Sequence, residues 1–123
     1  MLDHVSIGIS DREKSKTFYD AVLLTLGLKR VMDFGEAFAY GPSKDIPFFW
    51  LEEVADIGGT KGAHWALRAP DRASIHAFHA AALASGGTDD GGPGLRDYHE
   101  NYYAAFVLDP DGNKIEAVCH DPE

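Results

Sequence analysis

The sequence predicts an α+β fold in which the order strand, helix and three strands occurs twice. Positions sixty residues apart match along much of the chain, and each half opens with an alternating strand followed by a capped helical pattern. Because neither half of a 123-residue chain would bury enough surface alone, we expect the modules 1–57 and 58–123 to share one core. The matched pairs include His4 and His64, Ile7 and Leu67, Asp11 and Asp71, Arg12 and Arg72, Phe18 and Phe78, and Gly27 and Gly87.

The first half begins with a predicted strand at residues 2–9. Val5, Ile7 and Ile9 form its apolar row, whereas His4 belongs to the row that points the other way. Such alternation indicates a strand that buries one face against a helix. The face that carries His4 is left for solvent or for a cavity.

The predicted first helix follows directly. Ser10 and Asp11 are N-cap residue types, and apolar residues then recur at helical spacing until Gly27. Three short strands are expected next, separated by glycine- and proline-containing turns. Their predicted ranges are 28–33, 36–41 and 47–53.

The second half repeats this order after a joint that contains Gly58-Gly59. The segment 62–69 alternates with His64 on its polar row, and a second helix is opened by Asp71 and stops at Gly86-Gly87. The remaining expected elements are a weak strand and a flexible loop within 88–101, and a hairpin of 103–108 and 114–119 around Asp109-Pro110-Asp111-Gly112.

The composition argues against several classes of function. A formal charge of -9 without a basic cluster disfavours binding to nucleic acid. No apolar run approaches the length of a membrane span, and the N-terminus does not resemble a secretory signal. Cys119 is the single cysteine, so an internal disulfide is excluded and a cytoplasmic, reducing setting is the simplest expectation.

Three residues on the polar rows form a candidate metal site. His4 and His64 occupy equivalent positions, and in the last predicted strand Glu116 lies on the face opposite the apolar row. Two imidazoles and one carboxylate can hold Fe, Mn, Ni, Co or Zn as divalent ions and leave positions open for a substrate. The alternative is that these residues are ordinary polar side chains on a solvated sheet face.

Four segments carry a resemblance to known proteins: Leu2-Asp3-His4-Val5, residues 15–28, Gly62-Ala63-His64-Trp65-Ala66-Leu67, and Asp109-Pro110-Asp111-Gly112-Asn113-Lys114-Ile115-Glu116. They resemble the vicinal oxygen chelate superfamily, which includes glyoxalase I, extradiol dioxygenases, and fosfomycin- and bleomycin-resistance proteins. The resemblance implies two βαβββ modules that form a curved mixed sheet around a central cup, with helices outside. It also implies that His4, His64 and Glu116 bind a divalent metal that chelates vicinal oxygens of a small molecule.

The chain departs from the pattern of each subfamily. The glyoxalase I pattern has four metal ligands, but this chain has Trp50 at the position where the additional glutamate is expected. Glu52 lies on the same face as Trp50 and would supply a ligand or base only after a register shift. Extradiol dioxygenases usually place a tyrosine where this chain has Phe106. Fosfomycin-resistance enzymes need basic residues at the cup, for which the candidates are Arg68, Arg96 and Lys114.

The segment 95–103 concentrates aromatic and titratable residues just before the final hairpin. Tyr98, His99 and Tyr102 are candidates for a catalytic acid, a base or a substrate-positioning group, together with Glu116. An equally weighted interpretation is a surface or dimer-contact loop.

The sequence thus favours a small divalent-metal-dependent lyase, isomerase or oxygenase of the glyoxalase or dioxygenase type. The alternative is a metal-free module that sequesters a small molecule or drug, as bleomycin-resistance proteins do. The resemblance also implies a homodimer. The sequence leaves open whether His4 joins His64 and Glu116 within one chain or across two.

Overall fold

A computed structural model of the protein describes residues 1–58 and 60–123, so part of the predicted Gly58-Gly59 joint lies outside the described residues. The expected α+β fold is confirmed, with two helices and two sheets. The first half contains β1 (Val5–Ile9), α1 (Arg12–Leu24), β2 (Lys29–Asp33), β3 (Ala37–Gly41) and β4 (Phe49–Glu53). The second contains β5 (His64–Arg68), α2 (Arg72–Ala84), β6 (Thr88–Asp89), β7 (Gly94–Leu95), β8 (Tyr103–Leu108) and β9 (Lys114–Cys119).

The two sheets have matching topologies. The first has the order β1-β4-β3-β2 and the second β5-β9-β8-β6, with β7 also paired to β8. In each sheet the opening strand pairs in parallel with the last strand of its half, and the other pairs are antiparallel. The opening strand is therefore at an edge of its sheet, where its polar row borders only one neighbouring strand.

The second half differs from the prediction in its edge strand. One weak strand followed by a flexible loop was expected in 88–101, but two short strands, β6 and β7, pair with β8 on the same side. The intervening segment contains Gly91, whose φ of 139° is a backbone conformation that few residues other than glycine adopt. The N–H of Asp90 donates to the carbonyl of Phe106, and the N–H of Phe106 donates to the carbonyl of Gly91, so the segment stays paired with β8 between the two short strands.

Both helices begin at equivalent aspartates. The side chain of Asp11 accepts a hydrogen bond from the backbone N–H of Lys14, and that of Asp71 accepts one from Ser74. These contacts satisfy backbone donors that the first turn of a helix leaves free. In the described residues, neither helix is long and apolar enough to cross a membrane.

One apolar core contains residues from both halves. It includes Ile7 and Ile9 of β1, Phe18 of α1, Phe78 of α2 and Ile115 of β9, all at most 5% exposed. The two helices also contact each other directly. The apolar rows of both sheets are therefore packed in this shared core, as the alternation predicted.

A polar contact connects the final hairpin to the first half. Tyr19 on α1 donates a hydrogen bond of 2.6 Å to Asp109, which is 3% exposed. Burial raises the pKa of Asp109, and the hydrogen bonds from Tyr19 and Asn113 oppose that rise because they stabilise the carboxylate. Asn113 also donates to the carbonyl of Gly8 at 3.2 Å. This hairpin, which ends at the strand of Glu116, is therefore anchored on the other half.

We predict that Tyr19→Phe lowers the free energy of unfolding by about 1–3 kcal/mol, because it leaves a buried carboxylate with one fewer donor. Urea denaturation followed by circular dichroism measures the change. The control is Tyr98→Phe, since Tyr98 is 65% exposed and its hydroxyl has no hydrogen bond within the described residues. Equal stability of the two variants would contradict the anchoring role of Tyr19.

Candidate metal centre

Glu116 lies at the middle of the polar face of the second sheet. In the register of the strands it is opposite Ala66 on β5 and Phe106 on β8. Its side chain therefore points away from the shared core, as its parity predicts. Phe106 joins Ala104, Val118 and the partly buried Tyr102 in a small second apolar cluster on this face.

Both oxygens of Glu116 are hydrogen bonded. Its Oε1 lies 3.0 Å from Nε2 of His64, and its Oε2 accepts a hydrogen bond from the hydroxyl of Tyr102. Glu116 is only 1% exposed, whereas the side chain of His64 is 44% exposed. His64 and Glu116, two of the three residues predicted to bind metal, are thus in contact, and the imidazole lies on the solvent side of the carboxylate.

Tyr102 is held by three other rings. The rings of Tyr98, His99 and His120 lie 4.9, 5.0 and 5.3 Å from it, each at close to a right angle. Such edge-to-face contacts favour a defined ring orientation. Burial, followed by the hydrogen bond to Glu116, raises the pKa of Tyr102 to about 12. At neutral pH the hydroxyl is therefore protonated and acts as a donor.

Two cationic side chains lie against Phe106. The Arg96 guanidinium is 5.4 Å and the Lys114 ammonium 4.9 Å from the centre of its ring. Arg96 also donates to the carbonyl of Gly92 at 2.7 Å, and Lys114 pairs with Asp90 at 3.2 Å. Both cations therefore also contact the segment that follows β6, and they hold it beside the polar face.

The surroundings of Glu116 suit a bound divalent cation. Among the ion pairs of residues 1–58 and 60–123, none joins Glu116 to a lysine or an arginine; its charged-group contact is with His64. A buried carboxylate without a full positive charge beside it is costly, and a metal ion would supply that charge. Nε2 of His64 and Oε1 of Glu116 are both ligand atoms for Fe, Mn, Ni, Co or Zn.

His4 does not complete the set within the chain. It is exposed just before β1, and its Nδ1 lies 2.7 Å from Asp3. A cavity of about 250 Å³ has both His4 and His64 in its lining. Nevertheless, the described residues contain no group of three His, Cys, Asp or Glu side chains placed to hold one metal ion.

The first half carries an aromatic side chain where the second carries Glu116. Trp50 is opposite Ser6 in the β1–β4 pair, as Glu116 is opposite Ala66, so the register makes Trp50 its equivalent. Glu52 is opposite Gly8, two residues farther along β4 and therefore roughly 7 Å away at the usual strand rise. In this register Glu52 does not replace the missing carboxylate.

The Trp50 ring forms part of a second, larger cavity. It stacks on Phe34 with 6.1 Å between ring centres and 10° between ring planes, and its Nε1 donates to the carbonyl of Pro47. The cavity has a volume of about 500 Å³. Its lining also includes the acidic residues Asp3 and Asp45. Planar apolar groups and carboxylates therefore dominate this surface.

The contact between Tyr102 and Glu116 is the part of the site that sequence reasoning described least well. Tyr102 is one of the three predicted candidates. Position 106, where extradiol dioxygenases usually carry a tyrosine, is opposite Glu116 but holds phenylalanine. The hydroxyl comes instead from Tyr102, which directly precedes β8 and continues the row of Ala104 and Phe106, so alternation was the signal that could have identified it.

Comparisons with known proteins agree with this architecture. The family model of the Glyoxalase/Bleomycin resistance protein/Dioxygenase superfamily matches residues 1–117. A solved glyoxalase/bleomycin resistance protein from Albidiferax ferrireducens is 35% identical, with a TM-score of 0.80, and the alignment covers 98% of this chain and 99% of that chain. No curated protein sequence matches the chain.

More distant structures share the fold alone. A genomically encoded fosfomycin resistance protein from Listeria monocytogenes is 12% identical, with a TM-score of 0.73 and coverage of 98% of this chain and 93% of that chain. A mutant of glyoxalase I from Zea mays is 24% identical, with a TM-score of 0.69, and covers 95% of this chain but 46% of that chain.

We predict that Glu116→Gln raises the free energy of unfolding of the metal-free protein by about 1 kcal/mol, since it removes a buried charge and keeps the side-chain shape. The measurement is chemical denaturation at pH 8 in the presence of a chelator. Glu52→Gln, a change at an exposed carboxylate, is the matched control and is expected to be neutral. A destabilised Glu116→Gln protein would show that the carboxylate is a structural requirement.

Proposed function

This chain belongs to the Glyoxalase/Bleomycin resistance protein/Dioxygenase superfamily, and from that membership and the surroundings of Glu116 we propose that it is a small metal-dependent enzyme. His64, Glu116 and His4 would bind a divalent metal. The substrate would be a small molecule that presents two adjacent oxygens to that metal. The reaction would be that of a lyase, an isomerase or an oxygenase, in a cytoplasmic setting.

One observation carries the proposal: a carboxylate that is 1% exposed contacts an imidazole on its open side and lacks a lysine or arginine partner among the described residues. Asp109, which is similarly buried and structural, accepts hydrogen bonds from Tyr19, Asn113 and two backbone N–H groups. Glu116 instead has two side-chain partners, and one of them is an imidazole nitrogen that can itself bind a metal. The neighbouring residues keep bulk water from the carboxylate, which strengthens its attraction for a cation.

The metal would supply Lewis acidity at the chelated oxygens, or oxygen activation if it is iron. The protein side chains would bind and orient the substrate. Phe106, opposite Glu116 on β8, would form an apolar wall, with Arg96 and Lys114 packed against its ring. The catalytic roles of Tyr98 and His99 stay predictions; both rings pack on Tyr102, which as a protonated hydroxyl is suited to donate rather than to act as a base.

We further propose that the site is completed in a homodimer, with His4 supplied by a second copy of the chain. The support is that no third ligand joins His64 and Glu116 within the described residues. Large apolar side chains are also exposed on both halves near the polar faces, where a second copy would cover them. They include Leu2, Phe34 and Ile46 in the first half, and Tyr98 in the second.

A second candidate function is metal-free sequestration of a small molecule. The stacked Phe34 and Trp50 rings and the acidic residues Asp3 and Asp45 favour a planar ligand with a positive charge. This surface belongs to the first half and does not use Glu116. His4 also lines this cavity, so the two functions are separated by substitution of His64 for the metal site and of Phe34 for the aromatic surface.

We predict that the purified protein binds Co²⁺ or Zn²⁺ with micromolar or tighter affinity, and that His64→Ala weakens binding by more than about 100-fold. A ligand should cost more than an outer hydrogen-bond partner, whose loss typically costs 10–100-fold. Isothermal titration calorimetry after treatment with a chelator measures both affinities. His76→Ala is the control, because His76 lies on α2 and contacts Tyr103 instead of Glu116.

Absence of divalent-metal binding in the wild-type protein would overturn the enzyme proposal. If a planar cation such as proflavine then quenches tryptophan fluorescence in the wild-type protein and in His64→Ala, but not in Phe34→Ala, sequestration becomes the supported function. Metal binding unaffected by His64→Ala would place the metal at another site.

A mixing experiment tests the source of His4. His4→Ala and His64→Ala proteins should each bind metal weakly, but their equilibrated mixture should recover about one quarter of the wild-type sites. This is the fraction expected when half of the dimers are mixed and one of the two sites in each is intact. Metal titration of the mixture counts the sites, and each variant alone is the control. No recovery in confirmed mixed dimers would indicate that His4 acts within its own chain.

A further inference from the structure

We propose that Tyr102 is a positioning residue that reserves Oε2 of Glu116 and leaves Oε1 as its single metal-ligating atom. This role of Tyr102 rests on the proposed metal-binding function and concerns how Glu116 would bind the metal. Its basis is the division of the carboxylate between two partners: Oε1 faces Nε2 of His64 at 3.0 Å, while Oε2 accepts the hydrogen bond from Tyr102. The two oxygens of Glu116 therefore have different side-chain partners.

The hydroxyl is fixed by its surroundings. Three rings contact that of Tyr102 edge-on, and the backbone N–H of Tyr102 donates to the carbonyl of His99 at 3.3 Å. The carbonyl of Tyr102 in turn accepts from the N–H of Arg96 at 2.8 Å. His99 also stacks on His120, with 4.8 Å between ring centres. The loop therefore holds the ring from both its backbone and its side-chain contacts.

The neighbouring strand β8 does not supply a hydrogen-bond donor for Oε2 of Glu116. Phe106 is opposite Glu116 on β8 and offers only a ring. Within the hydrogen bonds recorded for the described residues, Oε2 has the Tyr102 hydroxyl as its donor. Loss of that hydroxyl would leave Oε2 buried without a donor or free to turn toward the cation.

The number of Glu116 oxygens that bind determines how many coordination positions this residue would occupy on a metal. A carboxylate that binds through both oxygens takes two positions on a metal, whereas one held through Oε2 takes a single position. Two imidazoles and one oxygen then leave open positions for a substrate that binds through two oxygens of its own. Outer hydrogen bonds of this kind orient metal ligands, and their loss typically reduces metal affinity 10–100-fold.

The test compares Tyr102→Phe with Tyr103→Phe in the full-length protein, using Co²⁺ as the probe. Both variants keep an aromatic ring, but only the first removes the hydrogen bond to Glu116, since the Tyr103 hydroxyl contacts His76 on α2. We expect Tyr102→Phe to bind Co²⁺ about 10–100-fold more weakly by calorimetry and to change the visible absorption bands of bound Co²⁺. Tyr103→Phe should retain the wild-type affinity and spectrum. Far-ultraviolet circular dichroism verifies that both variants fold.

A crystal structure of the Co²⁺-loaded wild-type protein gives a measurement that needs no Tyr102 variant. Co²⁺ is expected at bonding distance from Oε1 of Glu116, with Oε2 still hydrogen bonded to Tyr102. Bonding of both Glu116 oxygens to Co²⁺ would overturn the inference. Equal Co²⁺ affinity and spectra of wild-type and Tyr102→Phe proteins would also overturn it while leaving the metal site intact. Failure of the wild-type protein to bind Co²⁺ would overturn the proposed function and this inference together.

Discussion

Each sheet buries one row of side chains against the helices, and this packing constraint determines which residues remain free for chemistry. Ile7 and Ile9 in β1 and Ile115 in β9 enter the shared core. The opposite row of β9 must then face away from the helices, because successive side chains in a strand alternate. Glu116 is placed by this requirement, and a slip of one residue in β9 would exchange it for an apolar neighbour. The anchoring of the final hairpin by Asp109 and Asn113 opposes such a slip.

The two halves use the same framework for different surfaces. In the second half, the equivalent strand position holds Glu116, and Tyr102, just before β8, donates a hydrogen bond to its carboxylate. In the first half that position holds Trp50, which stacks on the exposed Phe34. A duplicated fold has therefore produced one face suited to a cation and another suited to a planar apolar group. Joined across two copies, these faces would form the two walls of one cup.

Much of this arrangement was predictable because it depends on local chemistry and alternation. The caps at Asp11 and Asp71, and the orientation of Glu116 away from the core, follow from residue type and spacing. Alternation also places Tyr102 on the row of Ala104 and Phe106, but the contact of its hydroxyl with Oε2 depends on how the irregular loop orients the ring. The separation of His4 from Glu116 depends on how the two halves pack, which strand periodicity does not encode.

Anomalous diffraction from crystals of the Co²⁺-loaded protein would show whether Glu116 is a metal ligand. We expect one strong anomalous peak per chain at about 2.0–2.2 Å from Nε2 of His64 and Oε1 of Glu116, with His4 of a second copy as the third protein ligand. Oε2 of Glu116 should remain hydrogen bonded to Tyr102. A peak bound elsewhere, or a cobalt-saturated protein with no peak beside Glu116, would contradict the assignment of this carboxylate as a metal ligand.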